Sequence, residues 1–196
     1  DIARTWGLKC QLLPMTDHRV ETRFQTREGI LAFQEYFVKR QALPTIQDIL
    51  FEGANIAEPA PGVLEAIASA KGIIICPSNP LISIGPILAI SSIRRALSES
   101  SAMIVSISPI IAGEAVKGPT KTMMQDMKIE ASAYGVAGLY KDLADCFIID
   151  QLDANLEGKI RQLGLEVIVG DTLMSTLDKS VNLAQISLRG MGVDRQ

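Results

Sequence analysis

An α/β fold with a mostly parallel sheet is what this sequence predicts, and three observations predict it. Four short apolar runs recur after residue 60, none alternating with polar residues. Helical periodicities fill the gaps between them, and Gly, Pro, Ser and Asn mark the boundaries. Runs without alternation fit strands covered on both faces, and their repetition with helices implies right-handed crossovers with helices on both sides. The expected layout is a Rossmann-like three-layer core over residues 56–189. A small mixed α/β lobe or cap over residues 1–55 precedes it, and a tail over 190–196 follows.

Within the lobe, residues 9–14 read as a strand, and residues 20–26 alternate through Val20, Thr22 and Phe24 like an edge or antiparallel strand. Gly29 marks a turn before residues 30–40, which carry Phe33, Tyr36 and Phe37; this apolar segment suits a lobe contact or a homodimer interface equally. Residues 45–51 are a further strand candidate. In the core, Pro61 is placed as a first helical residue, with Val63, Leu64 and Ile67 on one face. The four apolar runs are GIIIC at 72–76, MIVSI at 103–107, CFII at 146–149 and EVIV at 166–169. Val136, Leu139, Tyr140 and Leu143 recur at helical spacing, as do Leu156, Ile160 and Leu163, and then Leu177, Val181 and Ala184.

Bulk properties remove several classes of function. A net charge of −3 across 196 residues, with no block of like charge, argues against binding a nucleic-acid backbone. The longest apolar run, 72–77, is far too short to span a bilayer, and no signal peptide is visible. The chain opens on Asp1, so it reads as a piece of a longer protein and the lack of a targeting signal weighs little. Cys10, Cys76 and Cys146 are scattered without metal-site spacing and read as buried, reduced thiols of a cytoplasmic protein.

In open parallel sheets, ligands bind beyond the carboxyl ends of the strands. The residues there are Pro77 to Pro86, Ser108 to Gly113 and Gly170 to Thr172. They are rich in small hydroxyl and amide side chains and lead toward expected helices, whose free N–H groups suit phosphate. Ser78, Asn79 and Ser83 would add donors without bulk; equally, they serve as helix caps and turn formers. Asp17 and Asp171 each follow an expected strand and suit a cation or a ligand hydroxyl, although Asp171 suits a helix N-cap as well. His18 is the lone histidine, and no nucleophile elbow, Walker loop or zinc-protease motif occurs.

Residues 77–97, PSNPLISIGPILAISSIRRAL, resemble the P-S-N-P-x-x-S-I-G-x-I-L-x-x-x-x-I-R-x-x-L stretch of the 2-phospho-L-lactate transferase family. The S-P-I-I run at 108–111, L-P-M-T-D at 13–17, F-Q-E at 33–35 and D-T-L-M at 171–174 extend the likeness, in order and at matching intervals, over residues 5–188. The resemblance implies a cytoplasmic enzyme of coenzyme F-420 biosynthesis. Such an enzyme moves a phospholactyl or phosphoenolpyruvyl group from a guanosine diphosphate-linked donor to the terminal hydroxyl of a deazaflavin precursor, with Mg²⁺, releasing GMP. Carried over residue by residue, it implies Ser78, Asn79, Pro80, Ser83, Gly85 and Ser108 near the nucleotide, and Thr16 and Asp17 near the acceptor or metal. No catalytic residue and no metal ligand is assigned.

The family's Gly-rich phosphate loop, its acidic metal and acceptor site and a histidine-arginine segment have no counterpart in this sequence; by the resemblance they precede Asp1. The chain alone is therefore expected to be inactive and to lack a central strand. Two alternatives stand beside the transferase. One is a nucleotide-sugar-binding regulatory protein of the same fold group, whose loop is Gly-Pro-Gly-Ser-like where this chain has Ser78-Asn79-Pro80. The other is a non-catalytic domain of the enzyme.

Overall fold

The computed structural model describes residues 2–116 and 118–192. A short helix, α1 (Ile2–Thr5), leads into an irregular stretch. Residues 9–14, expected as a strand, are exposed coil instead. Their apolar members, Leu12 and Leu13, find no sheet among the described residues to bury them, and both stay exposed.

The lobe is a three-stranded antiparallel sheet. Its central strand β1 (Glu21–Thr26) lies between β2 (Gly29–Ala32) and β3 (Ile46–Glu52). Gly29 adopts φ 112°, a left-handed conformation that only glycine takes without strain, so the β1–β2 turn requires it. The Thr26 hydroxyl donates to the Gly29 carbonyl at 2.9 Å and closes the turn. Phe24 is fully buried beneath a π-helical turn, Glu35–Lys39, with its ring centroid 4.3 Å from that of Tyr36 and 5.8 Å from that of Phe37. The aromatic residues of the 30–40 segment thus pack within the lobe, while Ile30, Val38 and Leu43 remain exposed.

Helix α2 (Val63–Ser69) opens the core. It starts two residues later than Pro61 suggested, because Gly62 takes the cap position at φ 89° and Pro61 falls in the preceding turn. Then come β4 (Gly72–Ile75), β5 (Met103–Ile107), a small hairpin of β6 (Ile110–Ile111) and β7 (Glu114–Ala115), and finally β8 (Cys146–Asp150) and β9 (Glu166–Gly170). Strands β4, β5, β8 and β9 form one parallel sheet in that order. The hairpin corrects the expectation that the loop after residue 107 leads directly into a helix.

Between β4 and β5 lie a π-helical turn, Pro80–Ile84, then α3 (Gly85–Ala89) and α4 (Ser91–Ser98). Between β7 and β8 lie α5 (Thr120–Asp126) and α6 (Ala133–Tyr140). A 3-10 helix, Gln151–Leu156, and α7 (Glu157–Arg161) connect β8 to β9, and α8 (Leu177–Gly190) follows β9. On one face of the sheet, Ile75, Ile104, Phe147 and Ile149 pack with Ile93, Val136, Tyr140 and Ile160 of the helices. On the other, Val105, Ile107, Cys146 and Ile148 pack with Leu183 and Ile186 of α8. Alternate residues of β5 and β8 therefore point into separate apolar layers, which explains why these runs lack polar alternation. The edge strands are less covered: Ile74 of β4 and Val169 of β9 stay partly exposed.

Helix α8 turns a different face to the sheet from the one its periodicity suggested. Leu177, Val181 and Ala184 point outward, whereas Leu183, Ile186 and Ser187 are buried. Two glycines allow close approach on that side: a Cβ on Gly170 would stand 2.9 Å from Ile186 Cδ1, and one on Gly190 would stand 3.0 Å from Ile168 Cδ1. The helix also absorbs the start of the expected tail, since it runs through Gly190 and Met191 packs against Gly72; residues 193–196 lie outside the described residues. Among the described residues, no single helix is long and apolar enough to cross a membrane.

Lobe and core are joined beside the carboxyl ends of the strands. Met123 of α5 and Leu81 and Ile82 of the Pro80–Ile84 turn pack into the cluster around Phe24. The Ile46 amide donates to the Asp126 carboxylate at 2.9 Å.

Candidate functional site

A cleft of about 680 Å³ opens at the carboxyl ends of the parallel strands. Its floor and near wall are Pro77, Ser78, Asn79, Ile82 and Ser83, following β4. Ser108 and Pro109 follow β5, Val116 and Thr120 flank the hairpin and α5, and Thr172 to Ser175 follow β9. Three loops far apart in sequence thus meet at one place, as strand polarity in a parallel sheet requires.

The near wall is held by an asparagine cap. Asn79 Oδ1 accepts from the amides of Leu81 and Ile82 at 2.9 and 3.2 Å, and its Nδ2 lies 3.6 Å from Met123 Sδ. Pro80, buried, follows at the first helical position, where its missing N–H is no loss. Asn79 is therefore fully engaged in shaping the loop. The hydroxyls of Ser78 and Ser83, by contrast, have no hydrogen-bond partner among the described residues and are free to meet a ligand.

Ser108 is only 2% exposed, and its hydroxyl both donates to the Ile110 carbonyl at 2.8 Å and accepts from the Ile110 amide at 3.1 Å. It shapes the entry to the β6–β7 hairpin while lining the cleft. Of the residues implicated by sequence, Ser78, Asn79, Ser83 and Ser108 share the cleft. Pro80 and Gly85 stand behind its wall, with Gly85 against the ring of Phe51. Thr16 and Asp17 belong to a separate exposed turn, in which the Thr16 hydroxyl donates to the Glu58 carbonyl and accepts from the His18 amide at 3.0 Å.

Asp171 is not the cap of the following helix. That helix begins at Leu177, where Thr176 Oγ1 accepts from the Lys179 amide at 3.3 Å. Asp171 instead accepts from the Leu173 amide at 3.2 Å and pairs with Lys179 Nζ at 2.8 Å. The bond from Lys179 holds its carboxyl below the usual range. His18 is exposed, as are Arg94 and Arg95. Two of the three thiols, Cys10 and Cys76, are exposed and only Cys146 is buried, correcting the expectation that all three fill the core.

Sequence reasoning missed two carboxylates behind the cleft, Asp150 and Asp153, each 4% exposed. Asp150 Oδ2 accepts from both the amide and the hydroxyl of Thr172, at 2.9 and 3.1 Å. Asp153 Oδ2 accepts from the Ala112 amide at 3.0 Å. Burial pushes the Asp153 carboxyl up, the Ala112 amide opposes this, and the charge of Asp150 adds to it. An aspartate ending a wholly apolar strand, with a second three residues on, is the signal that would have revealed them.

Among the described residues, the lining offers hydroxyls, backbone and apolar surface but no carboxylate, and no group of three His, Cys, Asp or Glu could hold a metal ion. Such a surface offers hydroxyl and backbone donors to an anionic ligand and presents no carboxylate among its described lining residues.

Comparison with known proteins is consistent in both sequence and shape. A family model described as 2-phospho-L-lactate transferase CofD matches residues 1–183. The 2-phospho-L-lactate transferase of Methanosarcina mazei is 37% identical over 185 residues, covering 94% of this chain and 60% of that protein. The Methanocaldococcus jannaschii protein of the same name is 36% identical over 183 residues, covering 91% of this chain and 57% of that one. The chain thus spans about 60% of the length of these relatives. A solved structure of a UPF0052-family protein from Bacillus halodurans superposes with a TM-score of 0.64 over 94% of this chain and 64% of that one; at 15% identity it speaks for the fold alone.

Proposed function

This chain belongs to the 2-phospho-L-lactate transferase CofD family, and we propose that its cleft seats the nucleotide-linked donor of a phospholactyl-type transfer. The donor in this reading is a guanosine diphosphate-linked three-carbon acid, and the acceptor is the terminal hydroxyl of a deazaflavin precursor on the route to coenzyme F-420. The setting is cytoplasmic. The acceptor's alcohol oxygen forms a bond to the phosphorus bearing the three-carbon acid. The phosphoanhydride P–O bond breaks, GMP leaves with the bridging oxygen, and the alcohol proton passes to solvent.

Such a displacement asks for alignment and charge stabilisation more than for a protein nucleophile. The observation that carries the reading is the pair of unengaged hydroxyls, Ser78 and Ser83, facing a cleft at the strand ends whose lining has no carboxylate. Hydroxyl donors can follow phosphate oxygens as charge shifts between them. Val116, Leu173 and Met174, all partly exposed at the cleft, add apolar surface on which a flat ring can rest. Among the described residues the cleft lining supplies no carboxylate for the Mg²⁺ that the family resemblance implies, and no step here is routed through it.

Titration of GDP into the complete gene product by calorimetry tests the assignment. Ser78→Ala and Ser83→Ala are each expected to weaken GDP about ten- to hundredfold, the value of one hydrogen bond to a charged group. Phosphorus NMR of the reaction mixture is expected to show GMP appearing with the new diester. Unchanged GDP affinity in both variants would remove the cleft as the donor site.

A further inference from the structure

Strand β8 ends on Asp150, and the 3-10 helix that follows carries Asp153. Both carboxylates are buried among hydrogen-bond donors. An ionised carboxylate removed from water is tolerated only where such donors replace its hydration, so its bonds are specific and short-ranged. Asp150 uses both oxygens: Oδ1 accepts from the Leu152 amide at 3.0 Å, while Oδ2 takes the amide and hydroxyl of Thr172. Asp153 uses one oxygen, on the Ala112 amide.

The two partners stand in two different walls of the cleft. Thr172 opens the wall that runs to Ser175. Ala112 is in the turn of the β6–β7 hairpin, whose flanks Pro109 and Val116 form another wall and are joined by a Val116-to-Pro109 backbone bond of 3.3 Å. Ala112 holds φ 51°, a conformation that costs a residue with a Cβ and persists only where its surroundings enforce it. The bond from its amide to Asp153 is such an enforcement.

On the reading that this cleft seats the nucleotide-linked donor, we propose that Asp150 and Asp153 are positioning residues that together fix the separation of these two walls. One rigid turn grips both, so the cleft's width is set behind its surface. Neither is a catalytic residue, because neither lines the cleft.

The unequal bonding gives the test its resolution. In Asp150→Asn one acceptor oxygen becomes an NH₂, so a donor faces a donor at either Leu152 or Thr172. In Asp153→Asn the amide can still present its oxygen to Ala112. Side chains serving only as core filling would respond alike at the two positions.

Three quantities are measured on the complete gene product: GDP affinity by calorimetry, donor KM and kcat, and amide hydrogen exchange over residues 109–116 and 172–175. Asp150→Asn is expected to weaken GDP about tenfold, with donor KM rising more than kcat falls, and to speed exchange at 172–175. Asp153→Asn should stay within about twofold of wild type, whereas Asp153→Ala should approach the loss in Asp150→Asn and speed exchange at 109–116. Should Asp150→Asn not fold, Thr172→Val removes the hydroxyl arm alone and is expected to raise KM, with Thr172→Ser restoring it. Equal GDP losses in the two Asn variants, or unchanged exchange in both segments, would overturn the clamp. A wild-type protein that bound no GDP would instead defeat the donor-site reading, and the exchange data would still decide the clamp.

Discussion

The ring of Phe51 lies against Gly85: a Cβ on the glycine would stand 2.9 Å from Phe51 Cζ and 3.3 Å from the Pro80 carbonyl oxygen. Phe51 belongs to the lobe and Gly85 to α3 of the core, behind the cleft's near wall, so this contact ties the two together. Gly85 keeps ordinary helical angles, which makes the demand for glycine steric. Gly85→Ala is expected to cost roughly 1–3 kcal/mol, the usual range for overpacking, measured by urea denaturation. Part of the strain can be relieved by a pivot of the ring, so Phe51→Leu in the same background should recover some of the loss.

Helix α6 provides a sharper contrast between two of its own glycines. At Gly135 a Cβ would stand 1.8 Å from the Glu130 carbonyl oxygen, and backbone cannot move aside as a ring tip can. Gly135 also donates its amide to the Ser132 cap at 3.1 Å. At Gly138, three residues on, a Cβ would meet nothing within 4 Å. Gly135→Ala is expected to lose about 4 kcal/mol or more, in the exceptional range for single substitutions. Gly138→Ala should gain about 0.5–1 kcal/mol, because it only removes freedom from the unfolded chain. Thermal melts of the two variants should move in opposite directions.

The parallel core was legible because β5 and β8 are covered on both faces, so Ile104 and Val105 could both be apolar while pointing into different layers. The loops that converge on the cleft were legible for a related reason, since strand polarity alone decides which end each loop occupies. The face of α8 was not legible: Leu177, Val181 and Ala184 make as good a stripe as Leu183 and Ile186, and the choice is settled by Gly170 and Gly190, whose bareness matters only in three dimensions. Residues 9–14 misled because local apolar content does not reveal whether a partner strand exists. Asp150 escaped notice because a carboxylate at a strand end reads as a loop residue, and its partner Thr172 lies 22 positions away.

The three thiols should separate by burial. Burial pushes Cys146 up to about 11, with the charge of Glu166 adding to it, so at pH 8 almost none of it is thiolate. Cys10 and Cys76 are exposed. Titration of the native protein with a disulfide reagent at pH 8 is expected to modify two thiols quickly and the third only on unfolding. Mass spectrometry should identify the slow site as Cys146. Prompt reaction at Cys146 would mean that α8 does not cover the sheet as described.

Two aspartates should give stability profiles of opposite sign. Asp171 is depressed by its bond from Lys179, so its contribution is present above the ordinary aspartate value of about 3.9 and is lost as pH falls through its lower folded value. Asp153 is raised by burial, so the folded state binds its proton more tightly than the unfolded chain does. Its ionisation therefore subtracts stability as pH rises from the ordinary value through the higher folded one. Asp171→Asn is expected to flatten the loss of melting temperature on acidification below about pH 4. The effect should be small and fade in high salt, as for an exposed ion pair.

Asn79 allows the shaping of the near wall to be separated from the seating of a phosphate. Its oxygen caps two amides, a service that aspartate performs as well, while alanine cannot perform it at all. Asn79→Ala is therefore expected to cost about 1 kcal/mol of stability and to weaken GDP through a loosened loop. Asn79→Asp keeps the cap, gives up only the contact of Nδ2 with Met123 Sδ, and adds a negative charge to the cleft wall. Its stability should lie within about 0.5 kcal/mol of wild type, yet its GDP affinity should fall further than that of Asn79→Ala, with the deficit shrinking as salt rises. Chemical denaturation and calorimetry on the two variants, each at two ionic strengths, provide the comparison. If the aspartate variant bound GDP as tightly as wild type at low salt, the phosphates would have to lie elsewhere than against this loop.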